Sequence, residues 1–118
     1  MSKNKHTGDT GESLAAEYLQ QSGFNILERN WRCKHWEVDI IASKADRLHF
    51  IEVKTRRNEK FGKPEARFTA KKMSALKNAA EAYLLLHPEW TRIRFDIVSI
   101  MLKGEEVEEL LVIEDVYF

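Results

Sequence analysis

The chain has 118 residues, 43% hydrophobic and 32% charged, which suits one compact domain with its own core and excludes a disordered chain. Its longest unbroken apolar run, residues 82–86, falls far short of the ~20 residues of a membrane-crossing helix, and its single cysteine, Cys33, can close no internal disulfide and build no thiolate zinc cluster. Formal net charge is zero, but residues 104–118 hold six acids and no Lys or Arg, so the first 103 residues carry 19 basic against 13 acidic side chains, a net +6.

Residues 1–9 have no apolar stretch behind their lysines, so no secretory signal is read there, and they are expected to be flexible. A cytoplasmic protein is the expectation. Over residues 11–22, Leu14, Ala15, Ala16, Tyr18 and Leu19 recur at helical spacing and Gly23 follows as a stop. Residues 24–33, 37–42 and 47–55 are β-branched and aromatic and are joined by short links, which predicts three strands in an antiparallel meander. Thr69 is placed to cap a helix over 70–87, striped by Met73, Leu76, Ala80, Tyr83 and Leu84 and ended by Pro88. Residues 94–102 read as an apolar strand. A turn at 103–106 leads to a last strand over 107–113, which would pair with 94–102 and set its acids along a sheet edge. The order αβββαββ predicts one α/β domain over 1–118, with helices covering a mixed sheet.

Chemistry gathers around four residues. In Glu52-Val53-Lys54 the two charges stand two apart on a strand and so share a face; a solvated surface strand alternates in the same way. If Ala45-Asp46 is a two-residue turn, Lys44 pairs with Arg47, and the same register brings Asp39 opposite Glu52, about 5 Å away. Two carboxylates so placed repel unless a cation lies between them, and hard oxygen ligands suit Mg²⁺ or Mn²⁺. Glu12 falls on the same stripe as Ala15, Ala16 and Leu19, the face expected against the sheet, although a first-turn acid also complements the helix dipole. Glu37 shares the face of Asp39 and is a secondary candidate, or an ion-pair partner of Lys54 or Arg56.

The stretch 55–72 is basic, with Arg56, Arg57, Lys60, Lys63, Arg67, Lys71 and Lys72. Residues 55–68 are read as a long loop, longer than the usual connection of about 4–6 residues. Arg56, Arg57, Lys60, Lys63 and Lys72 are the candidate contacts to a nucleic-acid backbone. The four histidines share no ligand spacing, and Asp96 is read as a structural ion pair with Arg94. No glycine-rich phosphate loop is present, which argues against ATP use.

The run Gly8, Gly11-Glu12, Ala15, Tyr18-Leu19, Gly23, Arg29-Asn30, 37–41 (EVDII), 50–56 (FIEVKTR), Phe61-Gly62, Lys71-Lys72 and 94–98 (RFDIV) resembles the YraN family, bacterial proteins regarded as relatives of the archaeal Holliday junction resolvases and of the PD-(D/E)xK nucleases. The resemblance implies a restriction-endonuclease-like three-layer fold. It also implies that Glu12, Asp39, Glu52 and Lys54 form a nuclease constellation, with Asp39 and Glu52 as metal ligands and Lys54 as the catalytic lysine. The activity implied is Mg²⁺- or Mn²⁺-dependent hydrolysis of nucleic acid, DNA before RNA, with branched or junction DNA as one substrate; the alternative is a non-catalytic nucleic-acid-binding or interaction module on the same fold. Junction-cutting relatives act as two-fold dimers, so a homodimer is an expectation. Trp36 departs from the family, which has glycine there; it reads as packing at a strand start or as a platform for a base.

Overall fold

The computed structural model describes the backbone of residues 3–57 and 70–116, with side chains from residue 10 onward. Seven elements follow in the predicted order: α1 (Lys3–Gln21), β1 (Asn25–Cys33), β2 (Trp36–Lys44), β3 (Arg47–Arg57), α2 (Ala70–Leu86), β4 (Ile93–Lys103) and β5 (Glu106–Ile113). The five strands form one sheet in the order β1-β2-β3-β4-β5. Neighbours are antiparallel except β3 and β4, which are parallel. A parallel pair needs a long crossover, and α2 lies in that connection.

Local chemistry sets the boundaries. α1 ends where Gly23 takes φ +97°, with the Gly23 amide donating to Gln20 and the Phe24 amide to Leu19 at 2.9 Å. This glycine-terminated cap satisfies the last carbonyls, and it brings Phe24 over buried Leu19. α1 starts at Lys3 rather than at residue 11. No proline interrupts it, and each residue added to a formed helix gains a hydrogen bond. Ala45 and Asp46 have φ of +48° and +66°, the two left-handed residues of a tight hairpin turn, and the register they fix runs from Lys44↔Arg47 to Ile40↔Ile51.

The sheet is covered on both faces. α1 lays Ala15, Ala16 and Leu19 on Ile40, Ala42, Ile51, Val98, Ile100 and Leu102. α2 lays Met73, Leu76, Ala79, Ala80 and Tyr83 on Val38, Ile41, Leu48 and Phe50. Each fully buried large side chain contributes roughly 1.5–3 kcal/mol, so both helices are held by packing on the strands that carry the candidate acids. β5 pairs with β4 as the edge strand. Among the described residues no helix is long and apolar enough to cross a membrane.

Two expectations are corrected. β3 continues to Arg57, two residues past the strand expected over 47–55, because β4 keeps pairing with it as far as Arg57↔Leu102; residues 56 and 57 are therefore strand, not loop. Arg94 pairs with Asp115 at 2.9 Å, not with Asp96. Asp96 points into the core instead, where its carboxylate meets His49 Nδ1 at 2.6 Å and accepts the Asp115 amide at 2.8 Å.

Candidate active site

The site forms where two strands part. Toward its start, beyond Ile40, β2 pairs only with β1, while β3 beyond Ile51 keeps only β4. The fork opens at the position where the hairpin register would set Asp39 against Glu52. Val53 has no partner on β2 there, and its amide donates to Asp39 Oδ2 at 2.8 Å. The carboxylate thus substitutes for a ladder acceptor and is fixed by the backbone rather than by a flexible side chain.

Its electrostatic position is strained. Burial is the largest effect on Asp39, followed by the charge of Glu52, with Glu12 and Glu37 adding to both; the Val53 amide opposes them, and the carboxyl is raised from 3.8 to about 8. A group displaced so far by desolvation and like charge marks a functional-site candidate. Glu52 is one-fifth exposed and pairs with Lys54 at 3.3 Å, whose side chain is 9% exposed. Glu12, Asp39, Glu52 and Lys54 are therefore neighbours drawn from α1, β2 and β3.

Of the basic candidates, Lys72, near the start of α2, lies within the field of Lys54, Glu52 and Arg56. Arg56 alternates onto the face of Glu52 and Lys54. Arg57 turns away, its guanidinium donating to the Gly104 carbonyl at the β4–β5 turn. Lys60 and Lys63, like Thr69, lie outside the described residues. Glu37 is taken by Arg32 of β1 at 3.0 Å, rather than by Lys54 or Arg56 as expected, because the β1–β2 ladder sets the two opposite each other. Trp36 packs against the α2-side core.

One contact escaped the sequence reading. A Cβ on Gly11 would come within 1.8 Å of Thr55 Oγ1 and 2.8 Å of Thr55 Cβ, so α1 touches β3 backbone-close immediately beside Glu12. The Thr55 hydroxyl is buried there and no hydrogen-bond partner reaches it among the described residues. The signal was available: glycine inside a helix costs about 1 kcal/mol relative to alanine and often marks close approach.

Among the described residues no three His, Cys, Asp or Glu side chains are grouped to hold a metal. Asp39 and Glu52 are a two-carboxylate set of hard oxygens. That donor set fits Mg²⁺, which keeps several waters and takes one or two carboxylates with substrate phosphate oxygens. Loss of the proton from Asp39 is the condition for using it.

The model of the uncharacterised protein family UPF0102 matches residues 11–100. The chain belongs to that family. It is the YraN family that the sequence resembled. UPF0102 proteins from Syntrophomonas wolfei and Dictyoglomus thermophilum are 45% and 48% identical over 101 and 100 residues, covering 85% and 84% of this chain and 88% and 85% of the relatives. One from Rhodococcus opacus is 43% identical over 103 residues, 86% of this chain and 87% of its own length. The UPF0102 match spans Glu12, Asp39, Glu52, Lys54 and Lys72 and stops short of the acidic strand β5.

Proposed function

We propose that this UPF0102 protein is a Mg²⁺- or Mn²⁺-dependent endonuclease that hydrolyses phosphodiester bonds of nucleic acid, with DNA as the substrate class. The observation that supports it most is the fork itself: two carboxylates, one of them pushed up to about 8, meet beside a nearly buried lysine at the one place where β2 and β3 separate. A structural ion pair would need no second carboxylate at that spot.

Asp39 and Glu52 would hold the ion, which when bound supplies a Lewis acid for the phosphate and a more acidic water. The chain's own residues do the rest. The Val53 amide holds Asp39 in place through one carboxylate oxygen, Oδ2. Lys54 presents an ammonium to the charge that develops on the phosphate, and its low exposure strengthens that interaction. Glu12 extends the acidic side from α1, and Arg56 adds a cation on the face of Lys54. No serine, cysteine or threonine is required as a covalent nucleophile.

The test is a Mn²⁺ titration of the purified protein, followed by cleavage assays on linear and branched DNA. Wild type should bind saturably and cut, while Asp39→Ala or Glu52→Ala abolishes both. Lys54→Ala should keep DNA binding and lose cleavage. Unchanged Mn²⁺ affinity in both carboxylate variants overturns the site, and DNA binding without cleavage by the metal-saturated wild type leaves only a binding module.

A further inference from the structure

Among the described residues β5 pairs with β4 alone, so its outer edge is open. Its two faces differ. Leu110 and Val112 pack on the α1-side core. On the other face the ladder sets Glu106, Glu109, Leu111 and Ile113 opposite Lys103, Met101, Ser99 and Ile97, which alternate along β4. The helix on that side, α2, packs on Val38 and Ile41 of β2 and on Leu48 and Phe50 of β3, which leaves Leu111 50% and Ile113 47% exposed. Glu106 and Glu109 are exposed as well, and among the described residues no Lys or Arg pairs with either. One edge thus presents backbone donors and acceptors, two branched apolar side chains and two carboxylates.

Acids on an edge ordinarily refuse a further strand. They refuse a second copy of this chain in particular, because two β5 strands set edge to edge would oppose acid to acid about 5 Å apart, inside the screening length of about 8 Å. Nucleic acid is repelled for the same reason. A strand bearing Lys or Arg reverses the sign: its charges pair across the strands, and its side-chain stems cover apolar surface. We propose that the outer edge of β5 docks an extended basic segment of a partner protein, which adds to the sheet as a further strand, sets Lys or Arg against Glu106 and Glu109 and lays apolar atoms over Leu111 and Ile113. The proposal does not depend on the endonuclease reading, since β4 separates this edge from β3.

The probe is the end-capped peptide Lys-Val-Lys-Val-Lys-Val-Lys, titrated into the full chain and followed by fluorescence anisotropy, with the β5 amides observed by NMR. Wild type should bind it saturably with shifts along β5, and the Glu106→Gln/Glu109→Gln double variant about fivefold more weakly. Methylating every inner amide of the peptide keeps its charge and removes its backbone donors, so that probe should not bind. The Glu106→Lys/Glu109→Lys double variant should instead prefer Glu-Val-Glu-Val-Glu-Val-Glu. Both positions are exposed, so these variants should fold, and their circular dichroism should match wild type. No binding by wild type, equal binding of the methylated probe, or shifts gathered around Asp39 and Glu52 rather than β5 overturns the proposal. So does a wild-type dimer in sedimentation that Leu111→Arg converts to a monomer, because the second copy is then the occupant.

Discussion

Replacing Gly11 with alanine should test how the site is held together. Alanine is the better helix former by about 1 kcal/mol, so an isolated helix would gain. In the folded protein the new Cβ meets Thr55 Oγ1 at 1.8 Å, Cβ at 2.8 Å and Cγ2 at 2.9 Å, where ordinary contact begins at 3.4 Å. Rotating the threonine does not relieve this, because its own Cβ is already too close. α1 must therefore move off β3 by at least roughly 0.6 Å, the shortfall at the Thr55 Cβ, and by up to roughly 1.6 Å if Oγ1 keeps its place, at an overpacking cost of about 1–3 kcal/mol. The two opposing effects leave a net destabilisation of up to about 2 kcal/mol. Glu12 is the next residue and moves with the helix, and a displacement of about 1 Å at reacting groups can cost about a hundredfold in rate. Urea unfolding measures the first effect and DNA cleavage the second. The pattern of rescue is specific: Thr55→Ala removes the two outer atoms and restores part of the stability, whereas Thr55→Gly removes all three. A Gly11→Ala protein more stable than wild type by the helix gain of about 1 kcal/mol, with Thr55 intact, would refute the contact.

Two further outcomes follow from the buried acids. Because Asp39 is raised from 3.8 to about 8, the native state binds more protons than the unfolded chain between those values, and metal-free stability should fall as pH rises through that window. Asp39→Asn keeps an acceptor for the Val53 amide and removes the charge, so its thermal midpoint should exceed that of wild type at pH 8 and converge with it near pH 4 in calorimetry; identical pH profiles would show that Asp39 is not strained. At the other ion pairs the order of costs should follow burial. Asp96→Ala strips His49 and the Asp115 amide of their acceptor and should destabilise by about 3 kcal/mol in chemical denaturation, while Arg94→Ala breaks a half-exposed pair and should cost under about 1 kcal/mol; equal costs would contradict the assignment of Asp96 to the core.

Much of the site was legible because strands encode it locally. Alternation put Glu52 and Lys54 on one face, and the Ala45-Asp46 turn fixed a register that holds through Ile40↔Ile51. Less legible was where that register would end. Pairing stops at the fork because β3 goes on with β4 while β2 goes on with β1, and a single hairpin carries no information about its outer neighbours. The same limit explains Arg57: spacing cannot foretell that the β4–β5 turn would bring the Gly104 carbonyl to its guanidinium.

The misreading of Asp96 has a related cause. From sequence, Arg94 two residues away is the obvious partner, and same-face alternation supports it. The tertiary structure offers a nearer alternative, because parallel pairing sets β3 beside β4 and brings His49 to 2.6 Å from Asp96, leaving Arg94 for Asp115. The sequence by itself determined the seven elements, their order, the apolar faces of both helices and the acids that share a strand face, since each of these depends on neighbours within a few residues. Only the tertiary structure decided the meeting of His49 with Asp96, the seating of α1 through Gly11 on Thr55 and the upward displacement of Asp39. Each of those arises from groups distant in sequence that burial forces together.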